Sequence, residues 1–204
     1  MTAQTLFAAA AVLAAAGHAA ATITITQGAS GATYGTTLNF DEIGGPTGVV
    51  ATDAWAGLGL AEMQAGDGVP QVFDPAEPWI GDGNAFYGNF GVFMTFSTDL
   101  TNFSGQIWDP SGPPTFIGGG FGVFVFNDGV EVGFYSGEPA WGGLGDSWVD
   151  VTATDGMVFD EVRILGFGFF PTTYADNLSW NPVPTPGSLA FLGLAGLAGS
   201  RRRR

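Results

Sequence analysis

The chain has 204 residues, with 19 acidic and 5 basic side chains, no Cys and a single His. Lys is absent, and four of the five basic residues are the last four, so Arg163 stands alone against every Asp and Glu in the rest of the chain. This balance excludes nucleic acid as a partner of the main body. The missing Cys excludes a disulfide framework or thiolate metal site, and His18 alone leaves no material for a serine triad or an ordinary zinc site.

The first element is an uncharged apolar run, Thr5 to Gly17, followed by Ala19-Ala20-Ala21. A short apolar stretch before small residues is the pattern of a secretory signal peptide. Residues 1–21 are therefore expected to be removed, leaving Thr22 as the mature start. His18 falls inside this segment, so the mature domain has no His.

Residues 22–181 read as one all-β domain. The 34 Gly and 18 Phe suggest many short strands joined by tight turns. Thr22-Ile23-Thr24-Ile25-Thr26 alternates strictly and opens the domain. Strand-like runs follow at 37–40, 91–96, 103–108, 121–126, 130–135, 148–152, 158–167 and 174–180. Asn127-Asp128-Gly129 lies between two of them and predicts a hairpin, because Asp-Gly supports positive φ. Residues 121–126 are apolar on both alternating faces, which predicts a central strand. Number and spacing together predict a two-sheet β-sandwich of jelly-roll type.

Candidate chemistry in this domain is confined to carboxylates and aromatics. Catalysis by a pair of carboxylates, as in a glycosidase, is the least favoured reading, since the acids are scattered through turns and no motif singles out two. Gly118-Gly119-Gly120-Phe121-Gly122 precedes no helix and is not a phosphate loop. Trp and Tyr in turn-like contexts offer planes on which sugar rings stack: Trp55, Trp79, Tyr87, Trp108 and Trp141. Trp79 and Trp141 stand out, each placed near Pro and Gly. Packing in the core or at an edge is the alternative for any of them.

Residues 182–204 form a tail in three parts. Pro182-Val183-Pro184-Thr185-Pro186-Gly187 ends the last strand in an extended linker. Ser188 to Ser200 is uncharged and apolar, shorter than the roughly 20 residues of an ordinary transmembrane helix. Arg201, Arg202, Arg203 and Arg204 close the chain and orient it with these residues on the cytoplasmic side. The expected architecture is thus a β-domain flanked by a signal helix and a short transmembrane helix.

The tail resembles the PEP-CTERM sorting signal of Gram-negative and related bacteria, in which a Pro motif, a weak transmembrane helix and a basic end occur in that order. Val183-Pro184-Thr185-Pro186 stands where the family has Val-Pro-Glu-Pro, so Thr185 replaces the Glu. The resemblance implies processing by an exosortase, passage through an inner-membrane intermediate, and residence at the cell surface or in extracellular material. A simple membrane anchor is the alternative for the same tail. Many exported PEP-CTERM proteins also look like this chain in pairing an early Phe-Asp strand with a late Asp-Asn-Leu strand, here Phe40-Asp41-Glu42 and Asp176-Asn177-Leu178. By similarity to jelly-roll carbohydrate-binding modules, Asp41, Glu42 and Asp176 become candidate ligands of a structural calcium. A local turn made by Asp176 and Asn177 is the alternative. The functional expectation is an exported, non-catalytic surface or matrix protein of structural or adhesive role. The alternative is a surface carbohydrate-binding module that engages extracellular polysaccharide.

Overall fold

The computed structural model describes residues 21–41, 47–74, 83–108, 120–137, 147–166 and 172–183. Of the expected signal peptide, residues 1–21, only Ala21 is described, and the expected transmembrane segment, Ser188 to Ser200, lies outside the described residues. No helix among the described residues is long and apolar enough to cross a membrane.

Twelve strands follow one another among the described residues. The first six are β1 (Ile23–Gly28), β2 (Thr36–Leu38), β3 (Thr47–Val49), β4 (Leu60–Ala65), β5 (Gln71–Phe73) and β6 (Ala85–Asn89). The others are β7 (Val92–Trp108), β8 (Phe121–Asn127), β9 (Val130–Gly137), β10 (Trp148–Ala153), β11 (Phe159–Gly166) and β12 (Thr172–Pro182). Every pairing is antiparallel. The all-β expectation is therefore met.

The organising element is β7. Two strands were expected here, at 91–96 and 103–108, but the chain forms a single strand of 17 residues. The intervening Ser97-Thr98-Asp99-Leu100-Thr101-Asn102 contains neither Gly nor Pro to interrupt it. Its first part pairs with β4 on one edge and β11 on the other, for example Met94 with Met63 and Val162. Its last part pairs with β10 and β12, as in Ser104 with Asp150 and Ser179. Between them the register with β11 jumps from Thr95–Glu161 to Leu100–Phe159. The extra β7 residues form an irregular stretch that marks the changeover of partners.

Two wings result. The first is β4-β7-β11-β8-β9; the second joins β1-β10-β7-β12 to β2 and to β6-β5-β3. Their inner faces meet. Phe96 lies 5.4 Å from Trp180 and 6.2 Å from Phe103, ring centre to ring centre. Ile23 of β1 closes on Gly133 of β9, where a Cβ would stand 2.8 Å from the Ile23 side chain. Phe40, Phe86, Phe103, Phe121, Phe159 and Trp180 are buried almost completely. Each such side chain contributes about 1.5–3 kcal/mol of hydrophobic stabilisation.

The hairpin expected at Asn127-Asp128-Gly129 is present. Asp128 and Gly129 take φ of 50° and 75°, the paired positive values of a type I′ turn. β8 lies between β11 and β9, as its composition predicts. Its second apolar face is not buried, however: Phe124 and Phe126 are half-exposed on the outside of the first wing.

Candidate functional site

Leu38 of β2 stands opposite Leu178 of β12, so the early and late motifs of the sequence are neighbours. β12 carries a bulge there. Asn177 takes φ of 50°, and the register with β7 shifts between Asp176 and Ser179. Asp176 is buried, and its Oδ1 accepts the Asn177 backbone N–H at 2.7 Å. The Asn177 amide donates to Gln106 Oε1 at 3.1 Å and to Asp176 Oδ2 at 3.4 Å, which fixes its orientation. Just after β2, Asn39 Oδ1 accepts the Asp41 N–H at 3.2 Å, the local turn typical of Asn.

The segment between β1 and β2 crosses the outer face of the second wing as a strap. The Ala32 N–H donates to Asp150 Oδ1 at 3.0 Å, and the Ala32 carbonyl accepts from Ser179 Oγ at 3.1 Å. The Gly35 N–H donates to Asn181 Oδ1 at 3.0 Å. Gly31 touches the Trp148 ring so closely that a Cβ would sit 2.0 Å from Cε3. Only glycine permits that approach.

Strap, β2, β12 and Trp148 enclose a cleft of about 180 Å³. Its wall is the half-buried Trp148 indole, and its polar groups come from Thr33, Thr37, Asn39, Asn177 and Ser179. Among the described residues no ionisable side chain lines it. The cleft offers an aromatic side chain and neutral hydrogen-bonding groups, of which Asn39, Asn177 and Ser179 are held by bonds of their own.

Trp79, Trp141 and Glu42 lie outside the described residues, as do Pro184, Thr185, Pro186, Gly187 and Arg201 to Arg204. Val183 is described, and its N–H donates to the Asp99 carbonyl at 2.7 Å, tying the end of β12 to β7. Trp55 and Trp108 are not in exposed turns, as their sequence context suggested, but buried. Trp55 packs edge-on against Phe40 at 5.2 Å. Tyr87 joins Phe73 and Tyr174 in a half-buried trio with ring centres 5.4–5.6 Å apart. Burial in that trio, and then the neighbouring Tyr87, pushes the Tyr174 phenol pKa up.

Asp41 and Asp176 are engaged by different partners. Asp41 is exposed, and its Oδ1 accepts the Asn84 N–H at 2.9 Å. Asp176 serves the bulge, as the local-turn alternative describes. Among the described residues no group of three or more Asp, Glu or His side chains is placed to hold a metal ion. Trp148 was absent from the aromatic candidates. The signal for it was the alternation Trp148-Val149-Asp150-Val151-Thr152, which puts Trp148 on the polar face while Val149 and Val151 enter the core.

No family model and no curated protein matches the chain. Among solved structures it is similar to CsCBM6-3 from Clostridium stercorarium in complex with cellobiose, at 12% identity and TM-score 0.37, over 74% of this chain and 98% of that one. It is also similar to a family 6 carbohydrate-binding module, at 9% identity and TM-score 0.28, over 78% of this chain and 94% of that one. A third similarity is to the catalytic domain of a GH87 alpha-1,3-glucanase in complex with nigerose, at 15% identity and TM-score 0.25, over 80% of this chain and 29% of that one.

Proposed function

We propose that the chain is an exported, non-catalytic surface protein whose β-domain, a two-sheet sandwich of jelly-roll type, binds a neutral sugar in the cleft beside Trp148. The observation that carries this reading is the cleft's lining: one Trp, two amides, three hydroxyls and, among the described residues, no charged side chain. The apolar faces of a sugar ring stack on an aromatic plane, while its hydroxyls exchange hydrogen bonds with amides and hydroxyls. The volume, about 180 Å³, is below the roughly 300–1,000 Å³ of drug-sized sites and suits one ring of a chain. Export and sorting rest on the resemblance of Val183 to Arg204 to a PEP-CTERM signal.

The test is calorimetric titration with a panel of neutral mono- and oligosaccharides. Trp148→Ala is expected to weaken binding about tenfold or more, the loss of an aromatic stacking surface. Failure of the wild-type protein to bind any member, or equal binding by Trp148→Ala, overturns the reading. Sorting is tested separately by deleting residues 183–204 in a host that has an exosortase. Surface delivery of a species trimmed at the tail supports it; an intact tail retained in the inner membrane reduces the tail to an anchor.

A further inference from the structure

The outer face of the first wing carries an arrangement that the cleft does not use. Registers across five strands bring Gln64, Phe93, Arg163, Phe124 and Phe134 into one straight row, on β4, β7, β11, β8 and β9 in turn. A parallel row reads Glu62, Thr95, Glu161, Phe126 and Glu131. All ten side chains are half-buried or exposed. With strands about 4.8 Å apart, the row is roughly 19 Å long.

Arg163 organises this face. Its guanidinium lies 4.4 Å from the centre of the Phe126 ring and 5.7 Å from that of Phe93, and it pairs with Glu161 at 2.5 Å. It therefore bridges the rings and spends its charge locally. Phe124 and Phe134 continue the surface, their ring centres 4.8 Å apart, with Phe134 53% exposed. At the β4 side a depression of about 420 Å³ opens between Glu62, Gln64, Phe93, Thr95, Glu161 and Arg163.

We infer that this row is a second binding surface, for an extended polysaccharide chain without acidic groups lying across the strands. The shape is linear and open, so it suits a long chain and not a single ring. Four aromatic rings are interspersed with polar groups across the two rows, which supplies both stacking surface and hydroxyl partners. Glu62, Glu131 and Glu161 outnumber the one, already paired, cation, and so repel carboxylated or sulfated chains. Nucleic acid is disfavoured on the same ground. A protein partner is disfavoured because charged groups stand at the centre of the face, where protein interfaces are depleted of them.

This inference extends the reading of the domain as a sugar binder but concerns a different wing, and the two can fail independently. The experiment is affinity electrophoresis of the full chain in gels containing hydroxyethylcellulose, galactomannan, dextran, alginate or polygalacturonate. At least one neutral polymer is expected to retard the protein, and the two acidic polymers are not. Phe134→Ser, at an exposed position that tolerates a polar residue, and Phe124→Ala are each expected to weaken that retardation about tenfold. Both are expected to leave calorimetric binding of small sugars at the Trp148 cleft unchanged. Retardation equal to wild type in both variants overturns the platform, whatever Trp148→Ala does. So does equal retardation by acidic polymers, or no retardation by any neutral one. A loss confined to Trp148→Ala assigns all binding to the cleft.

Discussion

The outer faces of the two wings begin from the same pattern, alternating strands with one side in the core, and end as different surfaces. On the second wing the strap at residues 29–35 closes over β10 and β12 and leaves an uncharged cleft beside Trp148. On the first wing nothing among the described residues covers β7, β11 and β8, and the face stays open, aromatic and charged. The comparison teaches that strand alternation decides only which side chains face outward. Whether they form a pocket or a platform depends on whether another segment crosses them.

The largest test of that comparison asks whether the wings are separate at all. Phe103 is fully buried in the second-wing part of β7 and packs against Phe96 of the first. Phe103→Ala is expected to cost about 3–5 kcal/mol. Urea unfolding followed by fluorescence and circular dichroism should still show one coincident transition. Two resolved transitions would mean that the wings unfold independently.

A smaller effect is expected from the strap. Gly31→Ala forces a methyl group into the Trp148 ring and toward Ser104 Oγ. The expected cost is about 1–3 kcal/mol, the range for overpacking. Small-sugar binding should be lost with it, while polysaccharide retardation at the first wing persists. Loss of both would show that the faces are coupled through the core.

The smallest effect is electrostatic, and its sign differs between two carboxylates. The Asn89 amide and the Val69 N–H hold Asp67 below its ordinary pKa. Its contribution is therefore present above the unfolded value of about 3.9 and is lost as pH falls through the lower folded value. Burial raises Asp160, partly opposed by the bond it accepts from the Asp128 N–H. Its contribution is full below the unfolded value and is lost as pH rises through the raised folded value. Melting between about pH 3 and 7 should show Asp67→Asn weakening the protein toward neutral pH. Asp160→Asn should leave neutral stability unchanged or slightly higher, and remove the gain on the acid side. Parallel pH profiles for the two variants would contradict these assignments.

Much of the fold is written in local pattern. β1, β8, β9, β10, β11 and β12 follow from alternation and from the Asp128-Gly129 turn. β4 does not, because Leu60-Ala61-Glu62-Met63-Gln64-Ala65 favours helix and becomes a strand only by pairing with β7. β3 and β5 are three residues each and carry little signal. The adjacency of the early and late motifs was legible only as far as the strands beside them, where Leu38 pairs with Leu178. The cleft was not. It requires a positive φ at Asn177, which Asn tolerates better than other side-chain-bearing residues but does not dictate, and a strap whose partners lie more than a hundred residues away. The platform needed the cross-strand register, which fixes that Phe93, Arg163 and Phe124 share one row.

The tie between Val183 and Asp99 has a mechanical consequence. Force entering the domain from its C-terminal side runs along β12, which lies against β7 from Tyr174 to Pro182. Antiparallel hydrogen bonds stand perpendicular to the strands. A pull along β12 therefore loads that ladder in shear, so its bonds must fail together instead of unzipping one at a time. A domain tethered through this strand resists extraction along the very direction in which a surface anchor would tug on it.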